Sequence, residues 1–103
     1  MYKAYHAIDP VVKRDVPAHV YDVVGPVCES GDYFALEREL AAPEAGDLLA
    51  LMTAGAYGAT QSGSYNSRTL VPEVLVRKEE WAIVRPRPTI EDLIALDRLP
   101  PWL

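Results

Sequence analysis

Short apolar runs, cut by proline and glycine, organise this chain and favour strands over long helices. Val20-Tyr21-Asp22-Val23-Val24 is β-branched and aromatic and closes on Gly25-Pro26, so it predicts a strand that stops at a turn. Asp32 to Ala41 carries Leu36 and Leu40 at helical spacing, but also Tyr33 and Phe34. That leaves a short helix and an irregular connection both open. Gly46-Asp47 opens Leu48-Leu49-Ala50-Leu51-Met52-Thr53, which is apolar on both faces and is expected as a central strand. Gly55 to Ser67, GAYGATQSGSYNS, is rich in glycine and serine and is expected as a loop.

Pro72 to Val76 and Trp81 to Val84 flank the polar Arg77-Lys78-Glu79-Glu80, the pattern of a β-hairpin. Thr89-Ile90-Glu91-Asp92 predicts a helix start. The Thr89 hydroxyl can accept from the backbone N–H of Asp92, and both acids sit at the positive end of the helix dipole. Ile90, Leu93, Ile94 and Leu96 supply an apolar face, and Pro100-Pro101 is expected to stop the helix. These elements add up to a small, mainly antiparallel β-barrel or sandwich with one C-terminal helix.

Composition narrows the function classes. The chain has 103 residues, half of them apolar, with 10 basic and 15 acidic side chains and a net charge of −5. One domain with a modest core is expected. The basic residues are scattered, which argues against a nucleic-acid partner. No apolar run is long enough to span a bilayer, and MYKAYHAIDP has no apolar stretch behind its lysine, so neither a membrane partner nor a secretory signal is expected. A single cysteine forms no internal disulfide and is compatible with a reducing cytoplasm.

That cysteine is the first candidate for chemistry. Cys28 stands where an apolar run has ended, followed by Glu29-Ser30-Gly31-Asp32. A lone thiol is ordinarily a small core hydrophobe, but this one is surrounded by residues that favour water. An ordinary thiol is mostly protonated at neutral pH, and a neighbouring carboxylate disfavours the thiolate. The position therefore suits an acid better than a nucleophile. His6 and His19 make no metal-ligand pattern with it, and no metal site is expected. Gly55-Ala56-Tyr57-Gly58 could admit a phosphate but is an ordinary turn composition, and Tyr57 and Tyr65 are of a type more often half-buried in packing. Residue by residue, no function is named.

Several segments taken together, in their order and spacing, change that. These are Cys28-Glu29-Ser30-Gly31-Asp32, Gly46 to Ala50, Gly55-Ala56-Tyr57-Gly58, Tyr65-Asn66-Ser67-Arg68 and Pro72-Glu73-Val74-Leu75-Val76. With the opening Met1-Tyr2-Lys3-Ala4-Tyr5-His6, they closely resemble the C-terminal domain of the diaminopimelate decarboxylases, fold-type III pyridoxal-phosphate enzymes related to ornithine decarboxylase. The resemblance implies a small closed Greek-key-like β-barrel over 1–103, with a short C-terminal helix. It also implies an N-terminal (β/α)8 barrel, absent from these residues, that holds pyridoxal 5'-phosphate.

The resemblance further implies decarboxylation of meso-diaminopimelate to L-lysine in the cytoplasm by a homodimer. Cys28 would be the proton donor, reaching the partner subunit's site. Glu29 would contact the substrate's distal end, Tyr57 cofactor and substrate, and Tyr2 the substrate. Two departures stand out. Leu70 occupies the place of a family arginine, and none of Lys3, Lys13 and Lys78 resembles the cofactor lysine. These residues alone are therefore expected to be inactive. Two alternatives are a non-catalytic domain that docks on a related decarboxylase and regulates it, and a domain of a sister amino-acid or polyamine decarboxylase.

Overall fold

The structure, a computed structural model, describes residues 4–103. The chain divides into two compact units, Met1–Gly55 and Ala56–Leu103. It is mainly β with few helices, and among the described residues the strands form three antiparallel pairs.

The first unit holds two of those pairs. Strand β1 (Ile8–Pro10) pairs with β4 (Leu49–Leu51), and β2 (Ala18–Val24) pairs with β3 (Tyr33–Ala41). The predicted strand at Val20 to Val24 is present. Its partner β3 replaces both options left open for 32–41, because the Leu36–Leu40 spacing reflects a bulge and not a helix. Tyr21 faces Arg38 whereas Val23 faces Ala35, so β3 has an extra residue opposite Asp22. Glu37 lies at φ 50°, and its N–H donates to the Asp22 carboxylate at 2.8 Å. Ala35 and Leu40 are five apart and would face opposite sides of a regular strand. The extra residue returns both to one face.

Among the described residues, those two side chains and Ile8 are the buried core, at 6–7% exposure, with Tyr21, Val23, Leu49 and Leu51 packed against them. Strand β4 is shorter than predicted and pairs with β1 alone, so it is not central. The chain turns away at Met52-Thr53, with Thr53 at φ 58°. Beside the sheet pairs, Arg14 forms ion pairs with Glu44 (2.9 Å) and Asp47, tying the 11–17 and 42–48 connections together. Arg38 lies 4.3 Å from the centre of the Tyr5 ring and donates to the His6 carbonyl at 2.8 Å, which fastens the N-terminal segment to β3.

With so few buried side chains, each one matters. Leu40→Ala should cost about 2–5 kcal/mol, a large share of a small domain's typical ~5–15 kcal/mol. Urea unfolding followed by circular dichroism should show the midpoint fall sharply. An unchanged midpoint would mean the core lies elsewhere.

The second unit contains α1 (Gly55–Thr60), a 3₁₀ turn at Tyr65–Ser67, the hairpin β5 (Glu73–Arg77) and β6 (Glu80–Arg85), and α2 (Ile90–Ile94). The predicted hairpin forms, turning at Lys78-Glu79 with Lys78 at φ 57°, and Arg77 donates to Glu80 across the turn at 2.6 Å. The predicted cap forms too. Asp92 N–H donates to the Thr89 hydroxyl at 3.1 Å, and Thr89 N–H donates to the Asp92 carboxylate at 2.8 Å. The Thr89 backbone N–H, and then its hydroxyl, hold the Asp92 carboxyl below its ordinary value.

Helix α2 ends at Ile94, well before Pro100, and its apolar residues Ile90, Ile94 and Leu96 are exposed. The expected loop at 55–67 is instead two short helical turns. A Thr60 hydroxyl bond to the Ala56 carbonyl, at 3.0 Å, holds the first.

No residue of the second unit is fully buried, and Val74, Leu75, Val76, Trp81 (69% exposed), Ile83 and Val84 are exposed on the hairpin. The closed barrel is not formed as one hydrogen-bonded sheet among the described residues; the pairs stay separate. Prolines at the strand margins contribute. Pro10 ends β1, while Pro17, Pro72 and Pro86 stand immediately beside β2, β5 and β6. None of them offers a donor for extending a ladder.

Candidate functional site

The β2–β3 connection carries Cys28, and its shape follows from Gly25 and Asp32. Gly25 N–H donates to the Asp32 carbonyl at 2.7 Å, closing the neck of the loop. The Asp32 carboxylate turns back inside and accepts the Val27 N–H at 2.8 Å. It packs so closely on Gly25 that a β-carbon there would lie 2.2 Å from both carboxylate oxygens. Any larger residue at this position would have to displace the carboxylate from its place.

At the tip, Asp32 N–H donates to the Glu29 carbonyl at 3.0 Å, and Gly31 N–H donates to the Glu29 carboxylate at 2.9 Å. These bonds satisfy the donors of a tight turn and leave the Cys28 side chain exposed. Cys28 is thus no core hydrophobe. It is a thiol presented by a hydrogen-bonded loop. Glu29 beside it is exposed, and its second carboxylate oxygen can accept from a further donor or a cation.

Tyr57 belongs to the second unit, on α1, and is 75% exposed. Tyr2 lies outside the described residues. Cys28 and Glu29 are therefore brought together by one loop, while Tyr57 is presented by the other unit. The residues that sequence reasoning missed are Gly25 and Asp32. They flank the apolar-to-acidic switch, and the contact between them is defined by the fold of the loop and not by any local pattern.

His6 Nδ1 lies 2.9 Å from the Met52 carbonyl, and His19 stacks edge-on to Tyr21 with ring centres 6.5 Å apart. Among the described residues no group of three His, Cys, Asp or Glu gathers as a metal cluster. No helix among them is long and apolar enough to cross a membrane.

Residues 1–55, more than half the chain, match the family of the pyridoxal-dependent decarboxylase, C-terminal sheet domain. This chain belongs to that family. The loop just described is thus part of a decarboxylase sheet domain. The domain is 47% identical to the diaminopimelate decarboxylase of Archaeoglobus fulgidus over 100% of this chain and 25% of that protein. It is also 47% identical to the diaminopimelate decarboxylase of Zymomonas mobilis, over 100% of this chain and 24% of that protein.

Among solved structures, it superposes on the diaminopimelate decarboxylase of M. jannaschii with a TM-score of 0.89 and 41% identity, covering 100% of this chain and 24% of that one. The same enzyme in co-complex with L-lysine gives 0.89 and 40%, covering 99% of this chain and 23% of that one. The sheet domain therefore spans about a quarter of the length of the relatives it matches.

Pyridoxal phosphate, which the family implies, could be met by donors among the described residues. The exposed Tyr57 phenol can donate to a phosphate or an amino-acid carboxylate. The two described lysines stand on exposed connections, Lys13 after β1 and Lys78 at the hairpin turn. These residues fit a contact with the cofactor and do not form its seat.

Proposed function

We propose that this chain is the C-terminal sheet domain of a diaminopimelate decarboxylase and supplies that enzyme with its proton donor and substrate contacts. The observation that carries the reading is the exposed thiol of Cys28 on its hydrogen-bonded loop, within a chain 47% identical along its whole length to enzymes of that name. Pyridoxal phosphate, when bound in the complete enzyme, would supply an electron sink for the substrate's α-carbon as the carboxylate is lost as carbon dioxide. Cys28 Sγ–H gives a proton to that carbon, and the resulting thiolate is reprotonated from water. Glu29 grips the distal ammonium of meso-diaminopimelate through a charge-assisted hydrogen bond. Tyr57, together with Tyr2, contacts the substrate, and Tyr57 also contacts the cofactor.

The same proposal includes an N-terminal (β/α)8 barrel in the rest of the enzyme, a homodimer in which Cys28 serves the partner's site, and a cytoplasmic setting that keeps the thiol reduced. The exposed apolar residues of β5, β6 and α2 support such partners, since apolar surface of this extent ordinarily marks an interface. Closure of the sheets into the Greek-key-like barrel belongs with this proposal, because the edges of β5 and β6 keep backbone groups free to pair.

The test compares the full-length polypeptide, loaded with pyridoxal phosphate, with the 103-residue chain alone. The full-length protein should release carbon dioxide from meso-diaminopimelate and form L-lysine. The chain alone should release none and develop no visible absorption band with the cofactor. Turnover of ornithine or arginine in place of diaminopimelate would favour the sister-decarboxylase reading. An inactive protein that binds and modulates another decarboxylase would favour the docking reading.

A further inference from the structure

We propose that Asp32 is a positioning residue for the proton transfer, holding Cys28 in its donating place through a lock on Gly25 and the Val27 N–H; this rests on the role given above to Cys28. The lock has two parts. The Asp32 carboxylate accepts the Val27 N–H at 2.8 Å, one residue before the thiol. The Asp32 carbonyl accepts the Gly25 N–H at 2.7 Å, at the end of β2. One residue thereby fixes both the stem of the loop and the peptide that leads into Cys28. The carboxylate occupies the space that a side chain at residue 25 would fill, so the lock depends on that residue being glycine.

Proton transfer to carbon depends steeply on the distance between donor and acceptor, and misplacement by about 1 Å can cost roughly 100-fold. Cys28 has no packed wall of its own, being exposed, so the backbone of the loop is what sets where its sulfur lies. The Glu29 carboxylate is fastened independently of the Asp32 side chain, by the Gly31 N–H, and the Asp32 N–H bond to the Glu29 carbonyl is a backbone bond that a side-chain substitution leaves in place. A substitution at Asp32 should therefore be felt first at the thiol.

The test is a double-mutant cycle in the full-length, cofactor-loaded decarboxylase, read as kcat at saturating substrate so that grip lost through Glu29 does not enter. Asp32→Ala should lower kcat roughly 10- to 100-fold when Cys28 is present. In the Cys28→Ala background it should change kcat by about twofold or less, the margin within which independent substitutions add. Asp32→Asn keeps an oxygen to accept from Val27 and should recover most of the rate. Gly25→Ala reaches the same contact from the other side. It should reproduce the loss and serves as the deciding variant if Asp32→Ala does not fold. Hydrogen exchange at the Val27 amide should quicken in Asp32→Ala and Gly25→Ala, and stay slow in Asp32→Asn.

An equal loss in both Cys28 backgrounds would overturn the inference, because a general structural role predicts that result. Wild-type kcat in both Asp32→Ala and Gly25→Ala, beside a crippled Cys28→Ala enzyme, would overturn the inference while leaving the proposed function standing. Wild-type kcat in Cys28→Ala would remove the proposed role of Cys28, and this inference with it.

Discussion

Cys28→Ala in the full-length decarboxylase is expected to lower kcat by about 10²–10⁴-fold, the usual contribution of a positioned general acid. KM should move far less. In the proposed mechanism the thiol makes its essential contact as the proton is transferred, whereas Glu29 is the residue that grips the distal ammonium. The substitution removes a group that is exposed and holds no other side chain in place, so folding should be unaffected. The loop keeps its shape through backbone bonds and the Asp32 carboxylate, none of which involves the cysteine side chain. Steady-state release of carbon dioxide from meso-diaminopimelate, with melting temperature as the control, checks this. A variant that keeps its kcat would show that the proton comes from another group, and Cys28 would be a bystander on a well-built loop.

What the amino-acid pattern disclosed, and what it concealed, follows from how local each signal is. The strand around Val20 to Val24 was legible because a β-branched run and its terminating glycine and proline lie within a few residues. The Thr89 cap was legible for the same reason: hydroxyl and carboxylate are three residues apart, and both halves of the capping box form. Strand β3 was hidden by its own bulge. Inserting a residue at Glu37 breaks the alternation that announces a strand and leaves leucines at helical spacing.

Strand β4 was overextended because an apolar run does not reveal that its backbone turns at Met52. The helix at Gly55–Thr60 runs against the expectation set by Gly55 and Gly58, both poor helix formers. Of the site, the exposure of Cys28 could be read from its neighbours alone. Asp32 could not be read as a lock, because its partners Gly25 and Val27 lie across a turn whose geometry only the fold defines. The exposure of the second unit's apolar residues is likewise a property of packing and not of sequence pattern.

The central claim, that Cys28 gives its proton in a site shared between two subunits, is tested most directly by mixing two dead enzymes. One full-length variant carries Cys28→Ala; the other lacks the lysine that anchors the cofactor in the barrel domain. Each homodimer should be nearly inactive. After dissociation and random reassociation, about half of the dimers should be mixed, and each mixed dimer should contain one site with both groups intact and one with neither. Roughly a quarter of wild-type activity should return, far above the residual rates of the parents. If the mixture stays as inactive as its parents although mixed dimers are present, Cys28 does not serve a partner's site and the claim is contradicted.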